Sequence, residues 1–531
     1  MTNGRVTLEQ EAKFDVDRDY DDKRLRASLG DLDPPTERRL RTAYFDSSDG
    51  RLARLGLSLR HRREDAGPAT VADQGTWTLK VPQQATAGAR HGVLSRREYS
   101  CDGGRGQVPA DLLEVLRGSL RRAQLVQLVE LETTRRRSRV HGGDKRGGDT
   151  HGGGREVELA ELDDDRVHVV GGPNDGLEFR QVEIEFKRPN SPEAKDMVAA
   201  LRRSGATPTQ RSKLSIALGA PTADRHEKAR RNGTKSPSVG KMLAGAVGSG
   251  LGTLLEYDLR LRLSPLDPAP EDVHQARVAA RRLRSHITLC SSLLDPVWLD
   301  HMVDDLRWLG SVLGRVRDLD VRCGTLVDAG AETTATCRSE REAIVRALHA
   351  DRHRAVSELR EALSSKRYLH LLDRLEVAEH WAPFLTGSDH GVGPHSAASN
   401  ELPSLVGHEW RVLRRKVRQA GSHPDDESLH KIRIKAKRLR YAAELAAPIV
   451  GKPAARTAQR AKDVQTMLGD LHDTVTAEHW LRAQAPDQEP TVAFAMGALG
   501  QQQRDAGQDL RLQWRKSWKK LRRHGVVEWM E

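Results

Sequence analysis

The chain has 531 residues, enough for about two to four domains at roughly 100–200 residues each. Aromatic residues make up only 4%, so its cores must rest on Leu, Val, Ala and Ile, and a net charge of +12 with 31% charged residues points to a polyanionic partner. The four cysteines (Cys101, Cys290, Cys323 and Cys337) form no C-x-x-C pair, which argues against a zinc ribbon or a dithiol redox motif, and no apolar run reaches the roughly 18 residues of a membrane span.

The first residues lack the apolar core of a signal peptide, so a soluble cytoplasmic protein is expected. Up to about residue 220, short segments alternate polar and apolar residues: Thr7–Val16, Leu55–Arg62, Thr76–Val81, Glu156–Leu162 and Gln181–Lys187. That is strand patterning, broken by Gly- and Pro-rich turns. The Gly-rich run 141–154 reads as a loop between two strands.

On the first strand Glu9, Glu11 and Lys13 share one face, with Leu8 and Phe14 on the other. Arg60 and Arg62 repeat the oddity, Lys80 ends another strand, and Arg135, Arg137 and Arg139 share a third face. Glu183, Glu185 and Lys187 reproduce the E-x-E-x-K spacing opposite Val182, Ile184 and Phe186. A single such strand could be an ordinary solvated face. Recurrence over five strands fits a barrel with a charged lumen, whose Arg and Lys suit phosphate oxygens and whose paired Glu suit Mg²⁺ or Mn²⁺.

The ordered series E-x-E-x-K, LRxR, TLK, an Arg-rich strand, a later ExE strand and RSKL resembles the CYTH domain, the triphosphate tunnel metalloenzyme family, over roughly residues 5–218. The resemblance implies an antiparallel β-tunnel that cleaves a phosphoanhydride with a divalent metal, Mg²⁺ or Mn²⁺. Family members include inorganic, thiamine and RNA triphosphatases and class IV adenylate cyclases. By the same resemblance Glu9, Glu11, Asp163, Glu183 and Glu185 are metal-side carboxylates, and Glu9, Glu11 and Lys13 are catalytic. Arg60, Arg62, Lys80, Arg135, Arg137 and Lys213 are the implied substrate ligands. Glu161 or Asp164 stands as an alternative to Asp163, and Arg136 as an alternative to Arg137. Thr133 and Thr134 occupy a stretch where the family often carries Lys or Arg.

The polar stretch 223–238 reads as a linker, and the boundaries expected are 1–220, a linker over 221–240, and 241–531. Beyond it, helical periodicity runs to the end, as in Val273–Leu294, Trp298–Val316, Glu340–Leu363 and Leu429–Leu445, with a Gly/Ser/His/Pro-rich loop over 385–403. VHQARVAARRLRSHI (273–287) matches LHKIRIKAKRLRYAA (429–443), and LGRVRDLD (313–320) matches LGDLHDTV (468–475). This internal repeat predicts a pseudo-symmetric bundle, so the fold class is α+β: a β-tunnel followed by an all-α domain.

The spacing of His274, Arg277, Arg281 and Arg284 puts four basic groups on one helix face beside Val273, Ala276, Ala280, Leu283 and Ile287. His430, Arg433, Lys437 and Arg440 do the same in the second copy. Solvated faces normally mix signs; a stripe of one sign, present twice, suits a polyanion. HxxRxxx[RK]RLR in two copies resembles the CHAD domain over about 240–531. The resemblance implies an all-helical domain that binds inorganic polyphosphate through His274, Arg277, Arg281, Arg282, Arg284, His430, Arg433, Lys437, Arg438 and Arg440. Arg317, Asp318, His472 and Asp473 would orient them or cap the pore.

The expected function is hydrolysis of inorganic triphosphate beside a polyphosphate grip, in the cytoplasm and at polyphosphate granules, with no membrane partner. The alternatives are a non-catalytic binder, a thiamine triphosphatase or a class IV cyclase. Nucleic acid stays open on charge but finds little support from the sparse aromatics.

Overall fold

The computed structural model describes residues 4–29, 31–64, 74–82, 93–143, 156–189, 191–219, 236–329, 338–385 and 393–531. They group into two compact units, Met1–Asn232 and Gly233–Glu531.

The first unit is an antiparallel sheet of β1 (Arg5–Val16), β2 (Asp31–Leu32), β3 (Thr36–Ser47), β4 (Ser58–Glu64), β5 (Gln74–Pro82), β6 (Leu94–Gly104), β7 (Leu125–Gly143), β8 (Glu156–Val170), β9 (Glu178–Phe186) and β10 (Thr207–Thr209). Its order is β10-β1-β6-β5-β4-β3-β7-β8-β9, and β1 also pairs with β9, so eight strands close into a barrel. Short helices surround it: α1 (Lys23–Leu29), α2 (Arg51–Arg54), α3 (Ala110–Leu120), α4 (Pro192–Arg203) and α5 (Lys213–Ala217).

Alternation decides what goes where. Ala12, Phe14, Leu162, Val182, Ile184 and Phe186 point outward into an apolar core completed by Leu25 and Leu29 of α1 and by Met197, Val198 and Leu201 of α4. Each of these side chains larger than Ala12 contributes about 1.5–3 kcal/mol on burial. Ser191 caps α4 by accepting from the Ala194 N–H, with Pro192 in the first turn, so that helix begins where the chain must turn back onto the sheet. Trp77, fully buried, fills another outer layer between Phe45 and His61 and donates to the Gly104 carbonyl at 3.1 Å. With the outer faces satisfied, the opposite faces have only the lumen.

The second unit is helical: α6 (Val239–Leu263), α7 (Pro270–Leu289), α8 (Pro296–Ala329), α9 (Arg338–Ser364), α10 (Lys366–His380), α11 (Ala398–Gln419), α12 (Asp426–Val450), α13 (Lys452–Gln484), α14 (Pro490–Leu521) and α15 (His524–Val527). Helices α7/α8 and α12/α13 are the two repeats. Their apolar stripes are buried, from Val273 to Ile287 and from Leu429 to Ala443. Glycines in α6 allow close packing: a Cβ on Gly250 would stand 2.5 Å from Leu283 Cδ2. Among the described residues, no helix is long and apolar enough to cross a membrane.

Several boundaries differ from the sequence reading. Strand β7 runs on through His141 to Gly143, and 144–154 lie outside the described residues. Of the expected linker, 223–235 lie outside them too, while Ser238 caps α6 through the Lys241 N–H. Helix α11 begins at Ala398, inside the expected loop, because its apolar spacing (Leu402, Val406, Trp410, Leu413) outweighs Pro403 near its start.

Candidate functional site

Barrel register stacks the lumen in rungs. Glu11, Glu185, Glu161 and Arg139 align across β1, β9, β8 and β7. The next rung holds Lys13, Glu183, Asp163 and Arg137, and the one beyond holds Asp15, Gln181, Asp165 and Arg135. Opposite them, Arg60 aligns with Tyr44 and Thr78, and Lys80 with Glu98.

Ion pairs fill the middle. Lys13 Nζ lies 2.5 Å from Glu183 Oε1 and 3.0 Å from Glu11 Oε2. Arg135 grips Asp165 with two bonds of 2.8 and 2.6 Å and reaches Asp163 at 2.5 Å. Arg137 grips Asp163 twice at 2.7 Å and meets Glu161 at 2.7 Å. Lys213, at the first turn of α5, stands 2.7 Å from Glu183 and 2.9 Å from Asp165. Lys80 bonds Glu9 at 2.5 Å and Glu98 at 2.6 Å. Burial disfavours the Glu183 anion, yet Lys13, Lys213 and Arg135 together hold its carboxyl well below the usual range.

Two regions remain unmatched. Burial, reinforced by Arg60 and Arg135, pulls the Arg62 guanidinium down to about 9; its Nε donates to the neutral Thr42 Oγ1, at 3.2 Å. Arg60 Nε is buried with no acceptor among the described residues, and its Nη2 lies 3.7 Å from Glu98 Oε1. Burial pushes the Tyr44 phenol up, but Arg60, Arg62, Lys213 and Lys80 outweigh it, so its pKa falls. This is a pocket of positive potential. On the carboxylate side, Glu11 Oε1 is buried without a partner among the described residues, and burial followed by Glu9 pushes the Glu185 carboxyl up.

Five carboxylates were expected at a metal: Glu9, Glu11, Asp163, Glu183 and Glu185. Among the described residues no three His, Cys, Asp or Glu converge in a metal-ligating arrangement. Asp163 and Glu183 are instead bonded to Arg and Lys, and Glu9 to Lys80. The orphaned oxygen of Glu11 and the crowded Glu185 beside Glu9 nonetheless make a donor set of hard oxygens short of positive charge, which fits a divalent cation.

Parity sets Asp164 and Arg136 apart from Asp163 and Arg137, while Glu161 shares the lumen face of Asp163. Asp164 points outward and is gripped by Arg180 at 2.8 Å, and Arg136 lies on that same outer side, 4.0 Å from Asp164. Asp163 and Arg137 face the lumen. Asp165, Glu98 and Tyr44 join the lumen without having been singled out. Asp165 sits two residues from Asp163, and that same-face spacing was the signal available.

In the helical unit, α7 and α12 bring the two basic stripes to one place. Arg277, Arg281, Arg284, Lys437 and Arg438 line a cavity of about 220 Å³ together with Ser285, Thr288 and Glu409. Burial, then Arg433, Arg281 and Arg277, pushes the Lys437 ammonium down to about 6. Among the described residues, Nε of both Arg277 and Arg433 is buried without an acceptor. His430 lies 3.2 Å from His472, Nδ1 to Nδ1. Burial, then Arg317, also lowers the pKa of His274. Arg282 and Arg440 do something different: both bond Glu444, at 3.1 and 2.6 Å, and lie over the Tyr441 ring.

Family models match along most of the chain: CYTH domain over residues 7–212 and CHAD domain over residues 246–482. The Mycobacterium tuberculosis protein described as uncharacterized protein Rv2226 (strain ATCC 25618 / H37Rv) is 30% identical over 550 residues, covering 97% of this chain and 96% of that one. Similar solved structures include PptA from Streptomyces chartreusis, at 22% identity and TM-score 0.45 over 54% of this chain and 100% of that one. The CHAD domain from the plant Ricinus communis is similar at 26% identity and TM-score 0.40, over 52% of this chain and 93% of that one.

Proposed function

Because the chain belongs to the family of proteins in which a CYTH domain precedes a CHAD domain, we propose that it is a metal-dependent inorganic triphosphatase with a polyphosphate-binding helical half. One observation carries the reading. Among the described residues, the same lumen holds guanidinium groups short of acceptors, at Arg60 Nε and at Arg62, and carboxylates short of positive charge, at Glu11 Oε1 and at Glu185 beside Glu9. A metal–triphosphate complex supplies both deficits at once.

In this reading Arg60, Arg62, Lys80, Arg135, Arg137 and Lys213 hold the phosphate chain through charge-assisted bonds. Glu9, Glu11 and Glu185 would hold Mg²⁺ or Mn²⁺. When bound, the metal would neutralise charge on the phosphate oxygens as the anhydride breaks. Water attacks the terminal phosphorus, the anhydride P–O bond breaks, and orthophosphate and diphosphate leave. The preorganised cations stabilise the charge that develops.

The helical half would bind polyphosphate and hold the enzyme where that polymer is stored. Burial, then the neighbouring Arg433, Arg281 and Arg277, pushes Lys437 to about 6, and a polyanion in the groove would favour its charged form again. Nucleic acid is the poorer ligand: Tyr441, the aromatic nearest the stripe, is fully buried and covered by three arginines, so no base can stack on it.

The test is phosphate release from a panel of triphosphate, ATP, thiamine triphosphate and long-chain polyphosphate, with Mg²⁺ or Mn²⁺. Triphosphate should turn over roughly tenfold or more faster than the others, because a lumen lined by charge offers a nucleobase or thiazole no compensating contact. Release from none of them would leave a pure binding protein. ATP as the best substrate would replace the inorganic reading.

A further inference from the structure

Each repeat places a glycine under its principal arginine. In α8, Gly314 precedes Asp318 by four residues; in α13, Gly469 precedes Asp473 by four. That spacing puts each glycine and aspartate on one helix face. Arg277 of α7 crosses the first pair, with Nη2 3.9 Å from Asp318 Oδ1. A Cβ on Gly314 would stand 3.2 Å from Arg277 Nε and 3.3 Å from Nη2, tighter than ordinary contact. A Cβ on Gly469 would stand 3.7 Å from Arg433 Nε and 3.8 Å from Nη2. Both Nε atoms are buried with no acceptor among the described residues. Gly310, one turn earlier on α8, has nothing within 4 Å of the same ideal Cβ.

We propose that Gly314 and Gly469 are positioning residues: the missing side chain at each lets an arginine lie flat across the neighbouring helix, its Nε–H free for a phosphate oxygen. This rests on the polyphosphate reading of the helical half. Glycine inside a helix is otherwise unfavourable relative to alanine. Two glycines at matching repeat positions, each beneath a guanidinium, therefore need a local reason, and the guanidinium supplies it. The seats are unequal. At Gly314 an added methyl must displace Arg277, whereas at Gly469 it only touches Arg433.

The test is a calorimetric titration of the full-length chain with long-chain polyphosphate, for the parent, Gly314→Ala, Gly469→Ala and Gly310→Ala. Gly314→Ala should lose roughly tenfold in affinity, the order expected for one displaced charge-assisted bond. Gly469→Ala should lose less than about threefold, as a van der Waals contact needs little adjustment. Gly310→Ala should bind as the parent does. No variant should melt below the parent, since alanine favours the helix. Adding Gly314→Ala to Arg277→Ala should cost nothing further, because the seat then has no occupant. Parental affinity in Gly314→Ala, an equal loss in Gly310→Ala, or a loss that tracks a lowered melting temperature would overturn the proposal. Should the parent not bind polyphosphate, the groove reading falls, and the seat is judged in the free protein. Phenylglyoxal labelling of Arg277, followed by mass spectrometry, should rise in Gly314→Ala and not in Gly310→Ala; unchanged labelling removes the seat.

Discussion

Glu11→Gln is expected to lower triphosphate turnover by roughly two orders of magnitude or more, with a melting temperature close to the parent's. Glu11 is 2% exposed, so its carboxylate is held by the barrel and not by solvent. Its Oε2 meets Lys13 at 3.0 Å while its Oε1 has no partner among the described residues. Glutamine keeps the size and one hydrogen-bonding oxygen, and Lys13 keeps Glu183 at 2.5 Å, so the rung should survive. What glutamine cannot do is neutralise a divalent cation. Triphosphate binding in the absence of metal should therefore persist while turnover falls. Near-parental rates would remove Glu11 from the site and shift attention to Glu9 and Glu185.

Arg135→Ala is expected to destabilise the barrel by about 3–5 kcal/mol, the range for removing one partner of a buried charge cluster. Asp165 is fully buried, and Arg135 supplies it with two hydrogen bonds. Asp163 also loses a 2.5 Å partner, while Asp165 keeps Lys213 at 2.9 Å. Burial raises the Asp165 pKa, but Lys213 and Arg135 bring it down to about 2. The sign follows: a carboxyl depressed in the folded state adds stability above its unfolded value near 3.9 and loses it as pH falls towards 2. The gap between parent and variant should be widest near neutral pH and narrow as the pH drops below about 4. Denaturant melts across that pH range would show it. A loss under about 1 kcal/mol, or a gap independent of pH, would mean that the cluster is solvated and contributes little.

Much of the tunnel could be read from strand parity alone. Glu9, Glu11 and Lys13 share a face with nothing apolar, and in a barrel that face must be the lumen. The parity of the Asp-Asp-Asp run was ambiguous, because each choice leaves an aspartate on both faces. Only pairing with β7 and β9 assigns Asp163 and Asp165 inward and Asp164 to Arg180. Glu98 and Tyr44 were missed for a similar reason. Each is one charged or polar residue in a strand of mixed character, and its role comes from the strands registered beside it.

The helical repeats were legible because basic and apolar stripes recur at fixed spacing. Within a stripe, however, sequence does not separate an arginine that lines the cavity from one that clasps a neighbouring carboxylate. Arg282 and Arg440 carry the same motif as Arg281 and Lys437, yet Glu444 draws them aside. That distinction depends on where α7 meets α12. The seats at Gly314 and Gly469 are likewise visible only once a neighbouring helix lies across them.

The most direct measurement is phosphate release from inorganic triphosphate by the full-length chain as divalent metal is titrated against a chelator. The expected result is no release without metal, full release with Mg²⁺ or Mn²⁺, equal amounts of orthophosphate and diphosphate, and rates unchanged by Arg433→Glu in the helical half. Release that survives the chelator, or that disappears with Arg433→Glu while Glu11→Gln retains it, would place the chemistry outside the barrel lumen and contradict the assignment.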